Sequence, residues 1–365
     1  MKKKDLKYMN LALELAARAR ERTYPNPMVG AVIVKRGRIV GRGYHRRAGL
    51  AHAEVEAIRA AGPKCAGAEM YVTLEPCDHH GRTPPCTRAI IRSGIKSVVI
   101  AMKDPNPLAS GKGIRKLKKA GIPVRLGPCS SEAARLNRKY IKYITSGMPY
   151  VAVKIAQSID GKTAARNGTS KWISSAPSRK FARSLRSGSD AVIVGINTVL
   201  ADDPFLLDGK RGPCAFSRVI VDSRLRTPLE SNIIKTRNRS PVIIAATGLA
   251  PASRIKKFSA LDNVKVIKFR ARKGRVPLKA MLRRLAREEM VSVFAEGGGA
   301  LLGSLLDGSL IDEVLVFIAP KVIGGPYSSV KGLGASDISR ALDLEDILLA
   351  RSGDDVFIRG LIRKK

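Results

Sequence analysis

The sequence predicts two successive α/β domains. Its 365 residues exceed what one compact core usually holds, and its apolar fraction of 44% and charged fraction of 27% are typical of globular chains. Short apolar strand-type runs alternate with amphipathic helical stretches along the whole sequence. The segment Ser146-Gly147-Met148-Pro149 interrupts this alternation. We therefore expect a boundary between a first domain, residues 1–146, and a second domain, residues 149–365.

The first domain is predicted to be an α/β sandwich around a mixed sheet. Asp5 is a candidate N-cap for a first helix that carries Met9 and Leu13 on its apolar face. A tight turn at Arg36-Gly37 joins the first two strands. After that helix we expect strands at 29–34 and 38–45, a helix at 52–61, a strand at 70–74, a helix at 86–93, a strand at 96–102, a helix at 111–120, a strand at 122–126 and a helix at 130–146.

The second domain is predicted from apolar runs of the kind that form buried strands. We expect these strands at 150–156, 190–195, 218–222, 241–246, 264–269, 291–296 and 313–319. Helical patterns lie between them at 177–187, 277–289 and 299–307. This order indicates a second α/β domain.

The formal net charge of +37 is extreme for a globular chain. It is spread over both domains, since residues 1–148 hold 30 Lys and Arg against 10 Asp and Glu, and residues 149–365 hold 37 against 20. A nucleic-acid partner is one interpretation. However, no basic stretch is interleaved with the aromatic residues on which bases would stack. We therefore favour a generally basic surface that suits anionic small molecules, without a nucleic-acid partner.

The cysteine content and the chain start bear on the compartment. Five cysteines form an odd and sparse set, which favours reduced thiols over a disulfide framework: Cys65, Cys77, Cys86, Cys129 and Cys214. Charged residues interrupt the helix that follows the basic start MKKK, so we expect no signal peptide. No run of 18 apolar residues exists, so we expect no membrane segment. Together these features predict a cytoplasmic protein.

The strongest chemical signal is HAE at residues 52–54, followed by Pro-Cys at 76–77 and again at 85–86. One imidazole from His52 and thiolates from Cys77 and Cys86 supply the three protein ligands of a catalytic zinc, with a fourth position left for water. Glu54 lies two residues from His52, so it can reach the reacting water without binding the metal and can move its proton. The pattern resembles the signature of zinc-dependent nucleobase deaminases, although eight residues rather than two separate the cysteines.

Three alternatives remain open for this motif. His52 could be a helix-capping histidine beside two ordinary core thiols. The metal could be structural, with His79 or His80 as a fourth ligand. The chain could also be a deaminase that acts on nucleic acid, with a basic accessory domain.

Longer segments are similar to the RibD family of bifunctional riboflavin biosynthesis proteins. In the first domain they are TYPNPMVGAVIV, GYHRRAG, HAEVEA, TLEPCDHHGRTPPC and the DPNP at 104–107. In the second domain they are KIAQSIDGKTA, SKWIS, NTVLADDP, RVIVDS and AEGGGALLGSLL. The resemblance therefore covers essentially the whole chain, with its motifs in one collinear order.

The resemblance implies a cytidine-deaminase-like α/β/α sandwich in residues 1–146 and a dihydrofolate-reductase-like α/β domain in residues 149–365. The first domain would use zinc to deaminate 2,5-diamino-6-(5-phosphoribosylamino)pyrimidin-4-one with release of ammonia. The second would use NADPH to open and reduce the ribosyl group to a ribityl phosphate. The expected partner is a small phosphorylated pyrimidine, and we also expect a homo-oligomer.

In the deaminase half, the resemblance implies that Asn26, Asp104 and Asn106 contact the pyrimidine or the ribose. It places three basic side chains near the substrate phosphate, where an arginine can make charge-assisted contacts: His45, His80 and Arg82. All four histidines of the chain lie in this half, around the metal motif.

The reductase half has no G-x-G-x-x-G after a strand. Instead, Gly297-Gly298-Gly299 leads from a strand into a helix, a turn whose N–H groups can approach a phosphate or, alternatively, merely pack helix on strand. The resemblance assigns the cofactor to Ala156, Trp172, Thr198, Asp202, Ser223, Gly298, Gly299, Ala300, Leu301, Leu302, Gly303 and Ser304. It assigns the substrate to Ser170, Arg186, Leu206 and Glu296, with Lys154 nearby to stabilise negative charge. Trp172 could instead anchor the core, and Asp202 and Asp203 could merely cap a turn.

The segment DDPFLLDGKRG at 202–212 departs from the family pattern. Leu207 stands where the family has Thr, and the position of the Arg that holds the substrate falls near Gly209. Lys210 or Arg211 could substitute, although Lys lacks the bidentate geometry of Arg. We expect that the second domain still catalyses the reduction but binds the substrate phosphate more weakly.

Overall fold

A computed structural model describes residues 3–19, 22–80 and 84–363 of the chain. The chain divides into two compact units, Met1–Met148 and Pro149–Lys365, and this division lies within the segment 146–149. No helix in the described ranges has the length and apolar character that crossing a membrane requires.

The first unit holds a five-stranded mixed sheet. Its strands are β1 Gly30–Lys35, β2 Arg38–Tyr44, β3 Glu69–Leu74, β4 Ser97–Met102 and β5 Val124–Leu126. Its helices are α1 Lys3–Ala17, α2 Ala53–Ala61, α3 Cys86–Arg92, α4 Lys112–Lys119, α5 Ser130–Leu136 and α6 Arg138–Ser146. The strand order is β2-β1-β3-β4-β5, with β1 antiparallel to both of its neighbours and β3, β4 and β5 parallel.

Apolar residues cover both faces of this sheet, as alternation along buried strands requires. Ile33 and Val72 belong to a core cluster shared with α2, α3 and α4. Their chain neighbours Val32 and Tyr71 point to the opposite cluster, which α1 and Ala133 of α5 complete. The predicted α/β/α sandwich is therefore confirmed.

Two glycines of β2 set the position of α2. A Cβ at Gly41 would lie 2.3 Å from the Ala57 carbonyl oxygen, and one at Gly43 would lie 2.4 Å from that of Ala53. Only residues without side chains permit this close approach of helix and strand. The first turn of α2, which carries Glu54, is thereby held against the strand that leads into His45.

The single helix predicted at 130–146 is two helices, because Asn137 interrupts it with non-helical backbone angles of φ −102° and ψ 17°. The buried Asn137 amide accepts a hydrogen bond from the Met28 N–H at 2.8 Å and donates one to the Met28 carbonyl at 2.9 Å. The Asn137 side chain, at the junction of α5 and α6, thus holds the chain segment that contains Asn26 and Met28 against these helices.

The second unit holds a nine-stranded sheet. Its strands are β6 Tyr150–Ser158, β7 Ala191–Gly195, β8 Ser217–Val221, β9 Val242–Thr247, β10 Val264–Phe269, β11 Ser292–Glu296, β12 Glu313–Ala319, β13 Leu344–Ser352 and β14 Asp355–Ile362. Its helices are α7 Ala176–Leu185, α8 Ile196–Asp202, α9 Asn232–Lys235, α10 Ala252–Ser259, α11 Leu278–Arg287 and α12 Gly299–Asp307. The order is β10-β9-β8-β7-β11-β6-β12-β14-β13.

All seven predicted strands of this unit are present, and they pair in parallel from β10 through β12. The antiparallel hairpin of β13 and β14 was not predicted. In the register of β11 and β6, Glu296 lies opposite Lys154. In open sheets of this kind, ligands bind outside the carboxyl ends of the parallel strands, which is where Glu296 ends β11.

Candidate functional site

Three predicted metal ligands of the first unit come together in space. The Nδ1 atom of His52 and the Sγ atoms of Cys77 and Cys86 all lie within 4.8 Å of one another. His52 occupies the N-cap position of α2 without a side-chain capping hydrogen bond, Cys86 is the first residue of α3, and Cys77 lies between β3 and α3. The Cys86 N–H donates to the Cys77 sulfur at 3.4 Å, which fixes the two thiols relative to each other.

The spacing of these donors fits a zinc ion. His52 Nδ1 lies 3.6 Å from the Cys77 sulfur and 3.2 Å from the Cys86 sulfur. Donors at tetrahedral angles around zinc, with bonds of 2.0–2.3 Å, stand about 3.5 Å apart. Among the described His, Cys, Asp and Glu side chains, no fourth one joins the group, so neither His79 nor His80 closes it as a structural site would require.

The contact between the two thiols shifts their pKa values in opposite directions. A hydrogen bond with Cys86 lowers the pKa of the Cys77 thiol, and the same contact raises the pKa of Cys86. The thiolate is the form that binds metal. The set of one imidazole and two thiols therefore fits zinc in chemistry as well as in spacing.

Glu54 lies two residues after His52, in the first turn of α2, and is 4% exposed. Burial raises the pKa of its carboxyl to about 7, against the opposing charge of His52. The carboxyl lines the same cavity as His52 and Cys77 but is not part of the metal cluster. A carboxyl in this position can exchange a proton with a molecule in the cavity.

The cavity beside the metal cluster has a volume of about 300 Å³. The predicted residues that line it are Asn26, His45, His52, Glu54, Cys77, Asp104 and Asn106. His80 is exposed and is not part of the lining, whereas its neighbour His79 is. Arg82 lies outside the described residues. The volume suits one heterocycle rather than a strand of nucleic acid.

His45 forms a polar wall of this cavity in a defined tautomer. Its Nδ1 donates to the Ala51 carbonyl at 3.1 Å, because a carbonyl can only accept. Its Nε2 then accepts from the Asn26 amide at 3.2 Å. Burial lowers the pKa of His45, which agrees with a neutral ring. The pair therefore presents a neutral hydrogen-bonding surface and orients the Asn26 amide.

Asp104 provides a second polar wall. Its carboxylate accepts from the Asn106 N–H at 2.9 Å and from the Tyr140 hydroxyl at 3.2 Å, and burial raises its pKa. Glu75, itself buried, accepts from the Asp104 N–H at 3.2 Å and the Gly111 N–H at 2.9 Å. Glu75 thereby fixes the backbone of the DPNP segment and of the turn that follows it.

Sequence reasoning missed several residues that line this cavity: Glu75, Tyr140, Tyr143 and Ile144. The last three share one face of α6 at the spacing i, i+3, i+4, which was the available signal. That spacing shows which residues share a face, but only the tertiary structure shows what the face covers.

The second unit contains a larger cavity of about 990 Å³ at the carboxyl ends of its parallel strands. The predicted residues that line it are Lys154, Ala156, Ser170, Trp172, Arg186, Thr198, Asp202, Leu206, Glu296, Gly298 and Leu302. The predicted cofactor residues outside the lining are Ser223, Gly299, Ala300, Leu301, Gly303 and Ser304. The volume accommodates a nucleotide cofactor together with a small substrate.

A buried ion cluster forms the base of this cavity. The Glu296 carboxylate accepts from Arg186 Nη2 at 3.1 Å and pairs with Lys154 Nζ at 3.2 Å. Burial alone would raise the pKa of Glu296, but the charges of Arg186 and Lys154 lower it to about 2. Arg186 also donates to the Leu207 carbonyl, which anchors the loop after α8.

The glycine turn before α12 divides its residues between two roles. The Gly298 N–H donates to Thr198 Oγ1 at 3.1 Å at the cavity wall. In contrast, a Cβ at Gly299 would lie 2.6 Å from the Ser328 carbonyl oxygen, and one at Gly303 would lie 1.9 Å from that of Lys331. Gly299 and Gly303 therefore serve the close packing of a neighbouring segment on α12.

Trp172 is not a core anchor, because it is 61% exposed. The Arg179 guanidinium carbon lies 4.3 Å from its ring centroid.

Asp202 accepts from the Ser170 hydroxyl at 3.2 Å, whereas Asp203 accepts from the Asn232 N–H at 2.8 Å. Asp202 thus bonds to a predicted substrate residue, whereas Asp203 links α8 to α9. An exposed aromatic surface, flanking cations and a glycine at the wall fit a phosphorylated dinucleotide such as NADPH.

Comparison with known proteins covers both units. Residues 149–358 match the family model described as RibD C-terminal domain, and residues 2–102 match the cytidine and deoxycytidylate deaminase zinc-binding region. The chain is 45% identical to a riboflavin biosynthesis protein RibD from Aquifex aeolicus, over 97% of each chain. It is 42% identical to RibD of Escherichia coli, over 90% of each chain.

Solved structures agree over the full length. RibD from Acinetobacter baumannii matches with a TM-score of 0.86 and 37% identity, over 99% of each chain. A structure from Thermotoga maritima, described as a diaminohydroxyphosphoribosylaminopyrimidine deaminase and 5-amino-6-(5-phosphoribosylamino)uracil reductase, matches with a TM-score of 0.84 and 35% identity, again over 99% of each.

Proposed function

The chain belongs to the RibD family of bifunctional riboflavin biosynthesis proteins, and from this we propose which of its residues carry out each of the two reactions. It is a deaminase and reductase whose cofactors are zinc and NADPH. One observation carries the assignment of the first site: the His52, Cys77 and Cys86 donors converge beside the buried Glu54 carboxyl in a single cavity.

We propose that the first unit, residues 1–146, deaminates the diaminopyrimidine. His52, Cys77 and Cys86 would hold zinc, which supplies a Lewis acid that activates water. Glu54 takes one proton from the attacking water and delivers it to the ring nitrogen, then takes the remaining proton from the added hydroxyl and passes it to the leaving amine. The ring carbon loses its amine as ammonia and gains a carbonyl oxygen.

The polar walls of the cavity orient the ring for this attack. Asn26, fixed by His45, and Asp104, fixed by Tyr140, present hydrogen-bonding groups to the heterocycle and its sugar. A base-sized cavity lined by fixed polar groups favours a small molecule over a nucleic acid, despite the charge of +37. For the substrate phosphate we propose the loop that holds His80 and Arg82.

We propose that the second unit, residues 149–365, reduces the deaminated product. NADPH supplies a hydride. The bond between C1′ and the ring oxygen would break, C1′ would gain the hydride, and the ring oxygen would take up a proton from solvent to become a hydroxyl. Lys154, held by Glu296, is the ammonium that can donate a hydrogen bond to that oxygen. Gly298, Thr198 and Trp172 line the proposed cofactor side of the cavity.

We also propose that the protein is a homo-oligomer that acts in the cytoplasm. β13 is an edge strand of the nine-stranded sheet, and its Ile347, Leu348 and Leu349 are exposed. Apolar edge strands of this kind favour pairing with another chain. The five cysteines are all unpaired, which suits a reducing compartment.

The test is turnover of the phosphoribosyl diaminopyrimidine by the purified protein, followed by ammonia release and by NADPH absorbance. Ammonia release should need zinc but not NADPH, and a zinc chelator should abolish it. NADPH oxidation should need the deaminated pyrimidine. Ammonia release that survives complete removal of zinc would exclude the proposed first step.

A further inference from the structure

We propose that Arg183 binds the phosphate of the reductase substrate, in the space that a side chain at position 209 would otherwise fill. The inference rests on the proposed reductase function and names a residue for it that the family pattern does not assign. It starts from the departure of residues 202–212 from that pattern.

The loop after α8 offers neither of the two side chains that the family pattern places there. Leu207 is buried, and its carbonyl accepts a hydrogen bond from Arg186. Gly209 has a φ of +83°, a conformation that residues with a side chain rarely adopt. Positions 207 and 209 therefore offer no side chain that could bind a substrate anion at this rim.

Arg183 of α7 reaches this rim. Its Nε lies 3.5 Å and its Cδ 3.8 Å from the position that a Cβ of residue 209 would take. Arg183 precedes Arg186 by three residues, so the two side chains leave the same face of the helix. Arg186 reaches Glu296 at the base of the cavity, and Arg183, one turn earlier, lines the same cavity at Gly209.

The charge of Arg183 is available for a ligand. Within the described ranges, no carboxylate pairs with Arg183. The carboxylates that line the cavity are bonded elsewhere: Glu296 to Arg186 and Lys154, Asp202 to Ser170, and Asp203 to Asn232. A free guanidinium at a cavity rim is suited to a phosphate, which it can bind with two hydrogen bonds.

Neighbouring cations are less suited to this role. Arg239 donates its hydrogen bonds to the carbonyls of Lys210 and Gly212 and thus holds the loop. Arg211 does not line the cavity. Lys210 lines it and can add charge, but as a single ammonium without the paired geometry of a guanidinium.

The test compares Arg183→Gln with the unchanged chain in steady-state reduction of 5-amino-6-(5-phosphoribosylamino)uracil and of the same compound without its phosphate. Losing a charged hydrogen-bond pair should raise KM for the phosphorylated substrate about ten- to a hundredfold, with kcat changed less than about twofold. KM for the dephosphorylated compound and KM for NADPH should stay constant. Arg183→Lys should restore part of the loss. Lys180→Gln, on the same helix but outside the cavity, is the matched control.

Three results would overturn the proposal: an unchanged KM, an equal rise for both pyrimidines, or a rise confined to NADPH, which would assign Arg183 to a cofactor phosphate. Calorimetric binding of ribose 5-phosphate separates this inference from the reductase assignment, because it needs no turnover. If the unchanged chain binds ribose 5-phosphate but does not oxidise NADPH, the reductase assignment fails. If Arg183→Gln binds ribose 5-phosphate as tightly as the unchanged chain, the role of Arg183 fails.

Discussion

Glu296 is a buried carboxylate whose ionisation depends on Arg186 and Lys154. Its pKa is about 2 in the folded protein, against an ordinary value of 4.5. A carboxyl with a lowered folded pKa stabilises the protein above its unfolded pKa, and this contribution disappears as the pH falls. The second unit should therefore lose stability between pH 4.5 and about 2, by up to roughly 3 kcal/mol from this group.

The measurement is the free energy of unfolding of the unchanged chain and of Glu296→Gln at several pH values. The variant should be the less stable one at pH 7, and the gap should close as the pH approaches 2. Glu230→Gln, whose carboxylate is 86% exposed, is the control and should show no such convergence. A gap that is independent of pH would contradict the account of Glu296.

At this scale the sequence was most informative where chemistry is local. His52 and Glu54 are two residues apart at a helix start, and Cys77 and Cys86 each follow a proline, so the resemblance to the zinc-deaminase signature predicts that His52, Cys77 and Cys86 form one group. Tyr140 and Glu75 could not be found this way, because they reach the cavity only through packing of α6 and of the DPNP segment. Gly299 and Gly303 pack closely against a neighbouring segment, which is a second reason for glycine at these positions, and their assignment to the cofactor stays a prediction.

The junction of α5 and α6 links element structure to the deaminase site. Asn137→Ala removes both hydrogen bonds to Met28 and leaves buried backbone groups without partners, which should cost about 2 kcal/mol or more. Because the Met28 segment carries Asn26, kcat/KM for ammonia release should fall, while reduction of supplied deaminated pyrimidine should not.

Denaturant unfolding and the two separate activity assays measure this. Asn238→Ala, at an exposed asparagine of the second unit, is the control and should leave both quantities unchanged. If Asn137→Ala lowers both activities equally, then Asn137 has no specific role in placing Asn26.

The packing of α12 gives a second prediction at the element scale. Gly303→Ala introduces a Cβ within 1.9 Å of the Lys331 carbonyl oxygen, so the segment that covers α12 must shift. We expect a loss of about 1–3 kcal/mol in unfolding free energy. Gly248→Ala, which meets nothing within 4 Å, should cost far less. Equal stabilities of the two variants would show that the close contact at Gly303 is absent.

Element boundaries show where sequence patterns end. The helix pattern at 130–146 continues through Asn137, and only the Met28 contact explains why the helix breaks there. Asp5 was expected to cap α1, but it lies inside the helix and accepts two hydrogen bonds from Arg125, which lower its pKa. β13 escaped prediction because its exposed apolar residues do not alternate as a half-buried strand would.

At the scale of the whole molecule, the exposed edge strand β13 predicts that the protein forms an oligomer. Light scattering after size-exclusion chromatography should give the mass of a dimer or larger for the unchanged chain. Ile347→Lys combined with Leu349→Lys places charges on the exposed edge and should yield a monomer. Leu108→Lys, at a residue that is 78% exposed in the first unit, should leave the mass unchanged. A monomeric unchanged chain would contradict the proposal.

The central claim is that Glu54, beside the metal cluster, moves the protons of deamination, and its most direct test is Glu54→Gln. The variant should keep its zinc, measured by elemental analysis, and still oxidise NADPH with supplied deaminated pyrimidine. Its ammonia release should fall by about a hundred- to ten-thousandfold, whereas Glu56→Gln on the same helix should release ammonia normally. Ammonia release by zinc-loaded Glu54→Gln at the rate of the unchanged chain would contradict the claim.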